Sequence, residues 1–185
     1  MRPIPVTVAS VVSAVVIGGT LTTVIVFGAP TRQHVTGAMP AAGACHVAHD
    51  LTRSDLPDRT CTPGATDPQV TQATIGKTIC VRGYTAKVRP VVSETDAAKR
   101  RLMAAYGVQG TNELDHLVPL ELGGSSDAHN LWPEAGDIPN PKDKVENALH
   151  ALVCAPGKRL SLALAQRLIA TDWTTATSIA LTSLQ

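Results

Sequence analysis

Asp115 and His116 stand side by side in Glu113-Leu114-Asp115-His116-Leu117-Val118-Pro119-Leu120-Glu121-Leu122. Gly123-Gly124 follows, then Asn130-Leu131-Trp132-Pro133-Glu134, then the charged stretch Lys142-Asp143-Lys144-Val145-Glu146-Asn147. A carboxylate beside an imidazole suits phosphodiester hydrolysis. That reaction needs a water deprotonated, the charge on phosphate neutralised and the leaving oxygen stabilised, which one histidine and one divalent metal achieve together. His116 is the candidate general base, because a neutral imidazole titrates near working pH. Asp115 is the candidate metal ligand. Asn130 returns across the Gly-Gly turn, where its amide can bond the backbone or ring of His116 and hold the loop. A further metal ligand must come from the next helix. Asn147 is the first choice there, with Glu146 and His150 left open as alternatives. Lys142 and Lys144 are the first candidates for phosphate contact.

These residues need elements to position them. Neighbours on an ideal strand point to opposite faces, so Asp115 and His116 can share one phosphate only if the strand bends or bulges. Residues 114–122 read as the first arm of a compact hairpin, with the return beginning at Asn130. Residues 142–153 read as a helix, with Val145, Leu149, Leu152 and Val153 on its apolar face. Upstream, 75–81 and 84–92 are strand candidates, although Pro90 limits the second. A helix is expected over 94–106, capped by Ser93 and stopped by Gly107. A last helix is expected over 161–170, with Trp173 packed over the helix pair.

Composition bounds the setting. At 185 residues the chain has room for one ordinary domain. Residues 6–29 are uncharged and rich in Val, Ile, Leu and Thr, and a run of about 20 apolar residues is long enough to cross a bilayer. Residues 1–29 therefore read as a signal peptide or an uncleaved membrane anchor, and either places the remainder outside the cytoplasm. Residues 30–44 mix Pro, Thr, Gly and Ala and read as a flexible linker. The 4 cysteines, Cys45, Cys61, Cys80 and Cys154, suggest two disulfides in an oxidising compartment. Of the three pairings, Cys45–Cys61 with Cys80–Cys154 is the expected one. No C-x-x-C spacing exists to suggest a structural zinc. The formal net charge of +1 argues against a tight nucleic-acid-binding surface. Sparse aromatics offer no row of stacking platforms.

The motif residues quoted above, with Thr62-Pro63-Gly64-Ala65, Thr78-Ile79-Cys80-Val81-Arg82-Gly83-Tyr84-Thr85 and Val88-Arg89-Pro90 upstream, resemble the HNH-like, ββα-metal nucleases. Small exported bacterial proteins of that type are the nearest likeness, over about residues 61–173. The resemblance implies an α+β fold with a ββα-metal core at about 112–155, flanking helices and a disulfide-linked N-terminal segment, all within a domain at 45–185. It implies His116 as general base, Asp115 as metal ligand and Asn130 as the residue that positions the base. The histidine or asparagine ligand of the family's helix falls best on Asn147. The structural zinc pairs of many such proteins are absent, and disulfides stand in their place.

The expected function is metal-dependent cleavage of nucleic acid with little sequence specificity, since no recognition helix or basic arm is evident. DNA is the first expected substrate and RNA the second. Magnesium suits hard oxygen ligands, with manganese, zinc and nickel as alternatives. The rival is a catalytically silent exported scaffold of the same fold. A serine hydrolase is disfavoured, because Ser125 and Ser126 lack a GxSxG elbow.

Overall fold

A computed structural model describes residues 12–17, 20–25, 29–47, 56–136, 138–157 and 160–185. The chain divides into two compact units, Met1–Thr31 and Arg32–Gln185. In the first, β1 (Val12–Ile17) and β2 (Thr20–Ile25) pair antiparallel, Val12 opposite Ile25. This is the described part of the apolar run read as a leader or anchor. Its Val, Ile and Thr content favours extended backbone. Among the described residues no helix is long and apolar enough to cross a membrane. The rest of that run lies outside the described residues.

The second unit mixes helix and strand, an α+β arrangement. Its helices are α1 (Tyr84–Val88), α2 (Val92–Tyr106), α3 (Pro141–Cys154) and α4 (Leu162–Thr182). Its sheet is one hairpin, β3 (Asn112–His116) with β4 (Leu131–Ala135), which sets Glu113 opposite Glu134, Asp115 opposite Trp132 and His116 opposite Leu131. The expected first arm at 114–122 is thus shorter. After His116 the chain leaves the sheet and makes a 3-10 turn over Leu120–Leu122. In chain order the hairpin is followed directly by α3.

Several local expectations change. The stretches at 75–81 and 84–92 are not strands; they form a 3-10 turn at Ile75–Lys77 and the short helix α1. Helix α2 begins at Val92, so Ser93 lies inside it and caps nothing, while Gly107 closes it at φ 64° as expected. Helix α4 runs past Ala170 because Asp172 breaks the helical dihedrals and then caps the continuation, its Oδ1 accepting from Thr174 N at 2.9 Å. Trp173 is buried in the core beside this break.

The main core joins Val118, Leu120 and Leu122 of the loop to Leu149 and Val153 of α3 and to Ala165, Ile169 and Ala176 of α4. A second cluster sets Trp132 and Leu117 against Ala105 and Tyr106 of α2 and against Cys45. Disulfides close Cys45–Cys61 and Cys80–Cys154, the expected pairing. Such bonds persist in an oxidising, extracytoplasmic compartment.

Of the expected linker at 30–44, the part from Arg32 onward is not free. Gln33 N donates to Val88 O at 2.8 Å, Thr36 N to Ser126 O at 3.1 Å, and Cys45 N to Ala105 O at 3.0 Å. The Glu94 carboxylate accepts from Val35 N at 3.1 Å and lies 2.9 Å from His34 Nδ1. From Arg32 onward this stretch is an extended strap laid along the second unit.

Candidate functional site

The hairpin delivers Asp115 and His116 to one pocket. Glu113, Asp115, His116, Glu121, Asp143, Glu146 and Arg89 line a cavity of about 120 Å³. The convergence follows from position rather than from a bulge. His116 is the last strand residue, and the next backbone bond, Leu117 N to Asn130 O at 2.8 Å, still follows the hairpin register.

Asp115 is held from two sides. Its cross-strand neighbour Trp132 donates Nε1–H to Oδ2 at 2.8 Å. The same Oδ2 lies 2.8 Å from the Lys142 ammonium. Among the described residues Oδ1 has no hydrogen-bond partner. Trp132 received no role in the sequence reading; only the hairpin register places its indole over the carboxylate.

Lys142, expected to reach a phosphate, instead has a fully buried side chain. Its Nζ meets Asp115 Oδ2, Glu146 Oε1 at 2.5 Å and the His116 carbonyl at 2.9 Å. An ammonium this deep must be compensated by charge and hydrogen bonds, and these three oxygens match its three protons. The two carboxylates outweigh burial and raise its pKa, so it stays charged. Helix geometry explains the assembly. Lys142 and Glu146 are i,i+4 neighbours on the inward side of α3. Pro141 opens the helix, and Asn140 N donates to Asp143 Oδ2 at 3.0 Å.

The other helix candidates separate. Glu146 lines the pocket. Asn147 is exposed and donates to its own helix at Asp143 O, 2.7 Å away. His150 is not in the pocket lining, its Nε2 2.9 Å from Ile79 O and 3.4 Å from Cys154 Sγ beside the disulfide. Lys144 is exposed and outside the pocket lining. The exposed cation at the pocket is Arg89.

Asn130 does not touch the His116 side chain. Its Oδ1 accepts from Val118 N at 2.9 Å, and its Nδ2 donates to Val118 O and Ser125 O at 2.9 and 2.8 Å. It therefore pins both ends of the loop that carries Glu121. Gly124 sits in the same knot. A Cβ there would lie 1.7 Å from Val118 O and 2.8 Å from Asn130 Nδ2, so no side chain fits.

His116 is buried. Its Nε2 is 3.0 Å from Ser126 Oγ, and among the described residues Nδ1 has no hydrogen-bond partner. Burial lowers its pKa to about 4, against the opposing pull of Asp115. The ring is neutral at physiological pH.

The pocket is crowded with carboxylates. Outside the lining, on β4 opposite Glu113, Glu134 is pushed up to about 8 by burial, with Asp115 nearby. Burial also raises Glu146, to about 7, although Lys142 beside it pulls the other way. Glu121 is raised by burial as well, and its Oε1 is buried without any hydrogen-bond partner. Among the described residues no three His, Cys, Asp or Glu side chains already stand in a metal-binding arrangement. The donor chemistry nonetheless fits a hard divalent cation. Among the described residues Asp115 Oδ1 and Glu146 Oε2 have no hydrogen-bond partner, and Glu121 Oε1 is a buried acceptor with nothing to accept from. No family model matches the chain, and no curated protein and no solved structure is similar to it.

Proposed function

We propose that this protein is a metal-dependent, low-specificity endonuclease that hydrolyses phosphodiester bonds in an exported setting, with DNA as the first substrate. The observation that carries this reading is the meeting of neutral His116 with Asp115, Glu121 and Glu146 at one pocket. Those carboxylates repel a phosphodiester until a cation offsets them, so the pocket suits a phosphate only when a divalent ion accompanies it. Asp115 and Glu146 would hold that ion, with Glu121 as the nearby unpartnered acceptor. When bound, it supplies charge neutralisation at phosphate and acidifies a water. Magnesium or manganese suits this oxygen set better than a softer metal.

The chain's own residues do the rest. His116 takes a proton from water at Nδ1, the ring nitrogen without a partner among the described residues. Trp132 fixes the Asp115 carboxylate. Asn130 positions the loop rather than the base. Arg89, the exposed cation of the lining, takes the phosphate-contact role first assigned to Lys142 and Lys144.

A second reading has its own support. The Lys142 ammonium occupies one oxygen of Asp115 and one of Glu146, as a permanent counter-ion would in a silent exported scaffold. One experiment separates the two. Full-length protein is incubated with supercoiled plasmid and with RNA under chelation, then with magnesium, manganese, zinc or nickel, beside His116→Ala and Asp115→Ala. Metal-dependent nicking that both substitutions abolish is the expected result. Absence of cleavage by folded protein with every metal, or equal cleavage by the variants, moves the conclusion to the scaffold.

A further inference from the structure

His116 is held not by the asparagine of its own motif but by Ser126, which Gln33 of the strap holds in turn. Ser126 Oγ lies 3.0 Å from His116 Nε2 and 2.8 Å from Gln33 Oε1. Gln33 Oε1 also accepts from Ser126 N at 2.7 Å. The orientation of the Gln33 amide is set at its other end, where Nε2 faces two acceptors, Asp67 Oδ2 and Gly124 O, each at 3.3 Å. A carbonyl oxygen can only accept, so the Ser126 hydroxyl must donate to it. A hydroxyl has one proton. Toward His116, Ser126 Oγ can then only accept, and the neutral ring must carry its proton on Nε2.

We propose that Gln33, acting through Ser126, is a positioning residue that fixes His116 as the Nε2–H tautomer and so reserves Nδ1 as the proton acceptor. Its catalytic meaning rests on the nuclease reading; the tautomer itself does not. The strap is therefore part of the site. Gln33 is anchored by its own N–H to Val88 O at 2.8 Å, and Thr36 brackets Ser126, its N donating to Ser126 O and its carbonyl accepting from Ala128 N at 2.9 Å. Without Gln33 the serine proton is released, Ser126 can donate to Nε2, and the alternative tautomer becomes available.

The test is nitrogen NMR of full-length protein labelled at histidine, without metal, near neutral pH, with His116 assigned by loss of its signals in His116→Asn. The two ring nitrogens of a neutral imidazole resonate far apart, so the protonated one is identified directly. Wild-type protein should show one tautomer, protonated at Nε2. Gln33→Leu should shift His116 toward Nδ1–H while the other histidines keep their signals, and Ser126→Ala should leave a mixture. A wild-type ring protonated at Nδ1 overturns the proposal, and so does an unchanged tautomer in a folded Gln33→Leu protein. If the leucine variant does not fold, the wild-type spectrum and Ser126→Ala still decide. In the plasmid assay, Gln33→Leu should lower kcat at nearly constant KM, by less than the ~10²–10⁴-fold that a general base contributes. A wild-type protein that cleaves nothing would sink the nuclease reading while leaving the tautomer result intact.

Discussion

Replacing Lys142 with Met tests the charge arrangement at the centre of the site. Methionine keeps much of the stem and its packing and removes only the ammonium. Asp115 and Glu146 then lose the cation that both contact, within 2.8 Å and 2.5 Å. Breaking a buried ion pair by deleting one partner costs about 3–5 kcal/mol. For a domain of this size, ~2–4 °C of Tm per kcal/mol converts that to a drop of about 6–20 °C. The loss must depend on pH. Burial already holds Glu146 above the ordinary carboxylate range, and removing Lys142 pushes it further up. A carboxyl whose folded pKa exceeds its unfolded value contributes fully below the unfolded pKa of about 4.5 and loses that contribution as pH rises through the folded value. The deficit of Lys142→Met should therefore be smaller at pH 5 than at pH 8. A divalent cation offers a replacement charge, so millimolar magnesium or manganese should raise the variant's Tm more than the wild type's. Thermal melts of full-length wild type and variant, at both pH values, with chelator and with metal, measure all three effects. A variant within about 2 °C of wild type at pH 8, or a deficit equal at the two pH values, refutes the arrangement.

Glu134 gives the opposite sign of change. It sits across from Glu113 with its pKa raised from 4.5 to about 8, so wild-type stability should fall as pH rises through that window. Glu134→Gln should melt like wild type near pH 4.5 and above it at pH 8–9, by up to a few kcal/mol at ~1.4 kcal/mol per pKa unit; equal melting curves at pH 9 would remove the case for a strained buried carboxylate. Asn130→Ala deletes three hydrogen bonds to the Val118–Ser125 loop and leaves buried backbone groups unpaired, each worth about 1–3 kcal/mol. It should lower the urea midpoint and raise amide exchange at Val118, and unchanged exchange there would show that the loop is held by something else.

The parts of the site that the sequence made legible are those encoded locally. Asp115 and His116 are adjacent, the glycine pair and Asn130 bracket one turn, and the helix after Pro141 carries its own apolar periodicity. The cysteine pairing was legible because four thiols beyond an apolar leader leave few choices. Lys142 was misjudged because lysine is seldom fully buried. Its burial depends on Asp115, 27 positions earlier on another element, although the i,i+4 spacing to Glu146 was visible. Asn147 resembled a family ligand by type, yet it projects from the exposed side of α3. The strap shows the limit most clearly. Its Pro, Thr and Gly content has no periodicity, and its order comes from bonds such as Gln33 to Ser126, 93 residues apart. The 75–81 and 84–92 stretches had apolar content suited to strands, but strands need partners, and these segments fold back as local turns and a short helix.

Lys142 also ties the competing readings together. Glu113, Asp115, Glu121, Glu134, Asp143 and Glu146 surround a region whose nearby cations are Lys142 and Arg89. Two positive charges do not balance six carboxylates; burial is the first cause of the raised pKa values of Glu113, Glu121, Glu134 and Glu146, and a neighbouring carboxylate adds to the rise in each. A scaffold has no need of such a charge deficit, since apolar residues of similar volume usually serve stability as well or better. A site that must admit a divalent cation and then a phosphate does need it. The ammonium then holds Asp115 and Glu146 in place through one oxygen of each and leaves the other oxygen of each available. On the nuclease proposal Lys142 does not block the metal. In that proposal it would neutralise part of the carboxylate charge, leaving the pocket folded before a cation arrives and negative enough to draw one in.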